Sequence, residues 1–265
     1  MRPTAPAVMP ALLFARIELK ARLLLPGIRR SATQQAQALR GEGGPQAERL
    51  ARALERLAAD RVATEAHRVL DRVEAARRTI LLSPERVPWT GERPQSVGRI
   101  CARASQPPSG ARLLHHIVAA WEPRQALELG TCVGISAAYQ ATAIRGTGTL
   151  TSLEAYPALA RQAEATWRQA GIDNARVVVG QFANTLAPTL AGAMWDYAFI
   201  DGHHQGPATE RYVEEVSGAA APGALLALDD IDYSEGMRSA WQSVRRRPDV
   251  AASAVVGKIG LLALR

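Results

Sequence analysis

The stretch Glu128-Leu129-Gly130-Thr131-Cys132-Val133-Gly134-Ile135-Ser136 decides how this chain is read. A short apolar run, Gln125–Leu129, precedes it, and a segment of helical character, Ile135–Ile144, follows it. The stretch therefore has the form of a strand, a tight turn and a helix. Gly130 allows the backbone to turn sharply and approach a ligand, and Gly134 allows the next helix to pack closely. A third glycine is missing and an acid sits at the strand end, so this is not the dinucleotide fingerprint. Glu128 would repel a pyrophosphate but not a ligand carrying a positive charge.

Outward from that turn, strands and helices alternate. Thr149–Leu153, Arg176–Val179, Trp195–Ile200 and Ala224–Leu228 read as strands, and Gly110–Ala120, Pro157–Ala170, Pro207–Val216 and Glu235–Arg246 as helices. Ala252–Val256 and Ile259–Leu264 flank Gly257-Lys258 as a hairpin. This alternation predicts an α/β fold with a doubly wound, mainly parallel sheet, whose ligands bind beyond the carboxyl ends of the strands.

Before Gly110 the texture is helical. Ala11 to Leu25 reads as a short helix stopped by Pro26-Gly27, and Gly41-Glu42-Gly43-Gly44-Pro45 as a breaker. Gln46 to about Leu82 reads as one strongly helical run, with stripes of Leu50, Leu54 and Leu57 and of Val62, Val69, Val73 and Ile80. A loop from Ser83 to Pro94, a basic helix over Val97–Ala104 and a break at Gln106-Pro107-Pro108 follow. Residues 1–95 are thus expected as a helical appendage that covers the site or forms a dimer interface, and 96–265 as the α/β domain.

Of the 265 residues, 47% are hydrophobic and 22% charged, which excludes wholesale disorder. Arg16, Glu18, Lys20 and Arg22 interrupt the apolar stretch Ala7–Ile28, so neither a membrane span nor a signal peptide is expected. Cys101 and Cys132 are too few for a disulfide framework or a structural zinc site, and a cytoplasmic location is the expectation. Charge is uneven: residues 1–112 hold 20 Lys+Arg against 10 Asp+Glu, and residues 113–265 hold 12 against 15. Lys20 and Lys258 are the only lysines. Because acids are interspersed with the bases at helical spacing, the basic half reads as a solvated helix surface before it reads as a nucleic-acid grip.

Glu154 ends the second strand, 24 residues past Gly130, a place and spacing suited to the two hydroxyls of a ribose. As an acid before Pro157 it also favours the following helix dipole. Asp201 ends the fourth strand and Asp229-Asp230 the fifth, so a parallel sheet brings three carboxyl groups to one rim, where they repel unless a cation joins them. His204, with His203 as the lesser choice, lies in the same loop cluster, and an imidazole ordinarily titrates near about 6.5, within reach of neutral-pH proton transfer. Tyr233 and Trp241 are candidates to line a pocket; His115 and His116 read as structural.

Five motifs stand in order at the strand ends: Glu128-Leu129-Gly130-Thr131-x-x-Gly134, Leu153-Glu154, Gly180-Gln181-Phe182, Phe199-Ile200-Asp201-Gly202-His203-His204 and Leu228-Asp229-Asp230-Ile231. Over about residues 95–265 the chain resembles the class I S-adenosylmethionine-dependent methyltransferases, and within them the small bacterial O-methyltransferases of catechol type. The resemblance implies a Rossmann-like sheet of seven strands with an antiparallel C-terminal hairpin. By position it implies that Glu128, Gly130 and Gly134 face the methionine part of S-adenosylmethionine, with Thr131 and Ser136 as hydroxyl contacts. Glu154 would hold the ribose, and Gly180, Gln181 and Phe182 would frame the adenine, although an acid often stands where Gln181 does. Asp201 would bind both cofactor and metal, and Asp201, Asp229 and Asp230 would surround Mg2+ or Ca2+, which activates the hydroxyl of a small-molecule acceptor. His204 and Asp201 are the catalytic candidates. Two other functions stay open: an RNA methyltransferase gripping phosphates with the basic region, disfavoured because only Phe14 and Trp89 supply aromatic platforms in residues 1–112, and an inactive scaffold.

Overall fold

The computed structural model describes residues 8–90 and 93–265, with side chains from Leu25 onward. In chain order its elements are α1 (Val8–Glu42), α2 (Pro45–Ala59), α3 (Thr64–Leu81), β1 (Arg86–Val87), β2 (Gln95–Ser96), α4 (Val97–Ala104), α5 (Pro108–Trp121), β3 (Gln125–Leu129), α6 (Ile135–Ala143), β4 (Thr149–Glu154), α7 (Pro157–Ala170), β5 (Ala175–Val179), α8 (Phe182–Leu190), β6 (Trp195–Ile200), α9 (Gly206–Gly218), β7 (Ala220–Leu228), α10 (Glu235–Val244), β8 (Val250–Val256) and β9 (Ile259–Leu264).

The main sheet has seven strands in the order β5-β4-β3-β6-β7-β9-β8. β3 to β7 run parallel, and β9 lies antiparallel between β7 and β8. The chain leaves β3 toward β4 and β5, then returns to the other side of β3 with β6, so the order reverses between β3 and β6. Alternate residues of the strands feed two cores, as the period of two requires. Leu127, Leu129, Leu153, Ile200, Leu226 and Leu228 face α8, α9 and α10. Ala126, Leu150, Tyr197, Phe199, Leu225 and Ala227 face the opposite layer, which holds α5, α6 and α7.

The N-terminal helices join that second layer. Leu50, Leu54 and Leu57 are fully buried within the chain's own core, so this stripe is not open to a second copy. Much of the arginine excess is consumed in the same packing. Arg49 donates to the Trp121 and Gly223 carbonyls, Arg56 to Ala119 and Arg72 to Ala170, while Arg40 pairs with Glu48 and Glu55.

Two local expectations are corrected, and one helix is added. Pro26 does not stop a helix: α1 runs through it to Glu42. An interior proline costs about 3 kcal/mol, and the turns beyond it offset that by burying Ala32, Ala36 and Leu39. The helical run from Gln46 to Leu82 is two helices, broken where Asp60 takes a left-handed conformation with φ 47°. The Asp60 carboxylate binds Arg29, Arg112 Nε at 2.8 Å and His116 Nε2 at 2.8 Å, so the break is where α1, α2 and α5 are tied together. Although burial pushes the Asp60 carboxyl up, these donors hold it down at about 2. The change from the Leu50 stripe to the Val62 stripe marked this break. Phe182–Leu190 is a helix that its Asn-Thr and Pro content concealed. No helix among the described residues is long and apolar enough to cross a membrane; the apolar stretch from Ala7 begins outside them.

Candidate active site

The turn after β3 is locked from two sides. Gly130 has φ +105°, and a Cβ there would stand 2.1 Å from the Asp201 carbonyl oxygen, so only glycine lets the loops after β3 and β6 touch. The Asp201 amide donates to Leu129 at 2.9 Å, and the Gly130 and Thr131 amides both donate to Leu153. Gly134, with φ +81°, opens α6, and a Cβ there would meet Ala163 at 2.8 Å. From α7, Trp167 Nε1 donates to the Gly134 carbonyl and the Thr166 hydroxyl to that of Val133.

Glu128, Thr131 and Ser136 are all buried at this turn. The Glu128 carboxyl is fully buried and accepts from Gln140 Nε2 at 2.7 Å and Ser152 Oγ at 2.5 Å, with Ser136 as a further donor. Thr131 Oγ1 shares a hydrogen bond with Ser152. Burial pushes Glu128 up to about 7, against the pull of those donors. The three side chains thus brace the turn through partners within the chain, as buried polar groups require. Gln140 and Ser152 escaped the sequence reading; a serine in an otherwise apolar strand and a glutamine four residues after Ser136 were their signals.

Glu154 stands at the end of β4. Its Oε2 accepts from the Cys132 amide at 2.7 Å and its Oε1 from the Tyr156 amide at 2.9 Å, which joins the first turn to the start of α7. A carboxylate has about four lone-pair sites, so it retains acceptors for ligand hydroxyls. Gly180 donates its amide to the Glu154 carbonyl, and Gln181 opens α8 with its side chain exposed. The Phe182 ring lies against Gly202 and stands 5.5 Å from the rings of both His203 and Tyr212. Burial pushes the Cys132 thiol upward, which suits a packing role and not a nucleophile.

Asp201, Asp229 and Asp230 do meet at one rim. His204, with φ 46°, places Nε2 3.4 Å from Asp201 Oδ1 and Nδ1 3.8 Å from Asp230 Oδ2. His203 instead turns its Nδ1 to the Tyr212 hydroxyl at 2.6 Å. Tyr233 is 70% exposed and lies 5.9 Å from the His204 ring, whereas Trp241 is buried against Gly260 and takes no part. His115 and His116 are buried away from the rim, held by the Tyr139 carbonyl and Asp60.

Two residues that the sequence placed only in a break and a hairpin turn complete the rim. Gln106 Nε2 donates to Asp229 Oδ2 and reaches Asp201 Oδ2 at 3.4 Å. Lys258 Nζ lies 3.0 Å from Asp229 Oδ2 and 2.9 Å from Asp230 Oδ1. Burial and the Asp229 carboxyl push Asp201 well above the ordinary carboxylate range; burial raises Asp229 as well, against the attraction of Lys258. Two cavities, of about 370 and 490 Å3, lie away from this rim, lined by Arg56, Arg61 and Arg145 in one case and by Gln125, Arg176 and Trp195, at strand amino ends, in the other.

Residues 127–231 match the family model described as a methyltransferase domain. A curated relative, catechol O-methyltransferase of Mycobacterium tuberculosis, is 31% identical over 140 residues, which are 52% of this chain and 60% of the relative's length. Among solved structures, the fold is similar to an O-methyltransferase of Streptomyces achromogenes involved in tomaymycin synthesis and solved with SAM. There the TM-score is 0.54 at 24% identity, covering 74% of this chain and 88% of that one. A SAH-bound methyltransferase of Podospora anserina gives a TM-score of 0.58 at 14% identity, covering 77% and 89%. The fold is that of the Rossmann-like methyltransferases.

Proposed function

We propose that this chain, built around a methyltransferase domain at residues 127–231, transfers a methyl group from S-adenosylmethionine to a hydroxyl of a small molecule. One observation carries the reading: the Gly130 turn, the Glu154 carboxylate and the Asp201–His204 pair are brought to the same end of the sheet, where its strand order reverses.

The residues present fit the cofactor. Gly130 lets the loops after β3 and β6 meet at one end of the sheet, and Glu154 keeps acceptor sites for a ribose, while Gly180, Gln181 and Phe182 stand beside it at the start of α8. Glu128, Thr131 and Ser136 brace the turn that carries Gly130. When bound, S-adenosylmethionine supplies a methyl group activated by its sulfonium. His204 Nε2 accepts the proton of the acceptor hydroxyl, while the other ring nitrogen faces Asp230 Oδ2 at 3.8 Å. Tyr233 offers an exposed ring beside His204 for an aromatic acceptor. The three acids do not fit a resident Mg2+ or Ca2+ as they stand, because the Lys258 ammonium spans Asp229 and Asp230. Proton removal therefore falls to His204.

An RNA acceptor is less well supported, since many arginines of the N-terminal helices are engaged within the chain. The reading includes a cytoplasmic location, in keeping with two free cysteines, and gives residues 1–95 the role of a cover that needs no second copy. The test is transfer of labelled methyl from S-adenosylmethionine to a panel of catechols, phenols and aliphatic alcohols. Label in an acceptor supports the proposal; label only in added RNA would replace it.

A further inference from the structure

We infer that Lys258 is the resident cation of the acceptor site, an ammonium standing where a divalent ion would otherwise join Asp201, Asp229 and Asp230. The inference rests on the methyltransferase reading and concerns how its acceptor oxygen is held.

The position of Lys258 is built, not incidental. It occupies the tip of the β8–β9 hairpin, after Gly257 with φ 62°, and its own carbonyl accepts the amide of Ile231 at 3.2 Å. The hairpin tip is thereby docked on the residue that follows the Asp pair. From there Nζ reaches Asp229 Oδ2 at 3.0 Å and Asp230 Oδ1 at 2.9 Å. Gln106 donates to that same Asp229 oxygen and to Asp201, and the His204 ring lies between Asp201 and Asp230. Each acid of the rim thus faces groups of this chain. Among the described residues, no group of three or more His, Cys, Asp or Glu side chains is arranged to hold a metal ion.

Two facts make the ammonium an active element and not a mere neutraliser. A lysine carries three N–H donors, two of which the acids take; its side chain is 38% exposed, so the third is open to the acceptor. The chain uses arginine for every other base except Lys20. A guanidinium is a planar fork made for paired oxygens, whereas an ammonium is a compact point charge that can sit among several oxygens at once. In the reaction, the acceptor's O–H proton passes to His204, and its oxygen forms the new bond to carbon as the carbon–sulfur bond breaks and the electron pair stays on sulfur. Lys258 stabilises the negative charge on that oxygen and is not consumed.

The experiment is titration of Mn2+ into the full chain after chelator treatment, read by the electron paramagnetic resonance signal of free Mn2+. Wild type, Lys258→Ala and Lys258→Gln are compared, each checked for folding by circular dichroism. The inference expects wild type to leave millimolar Mn2+ free, and both variants to gain a saturable site that Asp229→Asn then removes. Mn2+ binding by wild type as tight as by the variants would overturn it, because the ion would then displace the lysine. Silence in all folded variants would overturn it as well, because the acids would then not be a cation site. Calorimetry with S-adenosylmethionine on the same samples keeps the readings apart: failure to bind it counts against the methyltransferase reading, while the Mn2+ result answers for Lys258.

Discussion

Arg77 Nη1 donates to the main-chain carbonyl of Gln106 at 2.8 Å, while the side chain of Gln106 donates to Asp229. A helix of the N-terminal third thus sets the position of a residue at the acid rim. Arg77 is buried and also pairs with Glu74, which in turn accepts from the Tyr139 hydroxyl of α6. Removing one partner of a buried pair costs about 3–5 kcal/mol. Arg77→Met is therefore expected to lower unfolding free energy by about 3 kcal/mol in urea titration. A loss below about 1 kcal/mol would mean that the pair behaves as a surface contact.

Gly130→Ala meets both a forbidden backbone region and a collision with the Asp201 carbonyl, whereas Gly146, with φ +61°, has nothing within 4 Å of a Cβ. Gly146→Ala should cost only the left-handed penalty of about 1 kcal/mol, leaving S-adenosylmethionine binding intact. Gly130→Ala should destabilise more and abolish that binding. Equal effects of the two substitutions in thermal unfolding and calorimetry would refute the close approach of the two loops.

His204→Gln should reduce methyl transfer by about 100- to 10,000-fold, the usual range for a general base, with S-adenosylmethionine affinity unchanged. Single-turnover rates and calorimetry separate the two quantities. If affinity falls as far as the rate, His204 holds the cofactor and does not move a proton.

His115 yields a pH prediction. Burial pushes its imidazole down to about 4, against the hydrogen bond to the Tyr139 carbonyl. The unfolded chain takes up this proton near about pH 6.5, the folded chain only near 4. Stability from this group is thus fully present above about pH 6.5 and falls as pH drops toward 4, by about 3 kcal/mol in all. The difference in urea stability between wild type and His115→Gln should shrink by about 2 kcal/mol from pH 7 to pH 4.5. A pH-independent difference would show that the ring is charged in the fold.

The seven main strands were legible because apolar runs of five or six residues, bounded by Gly, Pro and Asp, alternate with helices; β3, β6 and β9 fall where the sequence puts them. Glycines with positive φ marked the turns. The polar interior was less legible. Glu128, Thr131 and Ser136 read as ligand contacts, whereas their burial and the partners Gln140 and Ser152 were not legible. Gln106 and Lys258 read only as a break and a hairpin turn, since they reach Asp229 from a proline-rich loop and a hairpin tip, 123 and 29 residues away in the chain. Helix limits failed where tertiary contacts overrode local signals, as at Pro26 and Asp60.

The central claim is most directly tested by calorimetric titration of S-adenosylmethionine into the purified chain and into Glu154→Ala. The account predicts saturable binding by the wild type, weakened at least tenfold in the variant, the equivalent of about 1.4 kcal/mol from hydrogen bonds to a charged group. No binding at millimolar cofactor, or binding that the variant leaves unchanged, would contradict it.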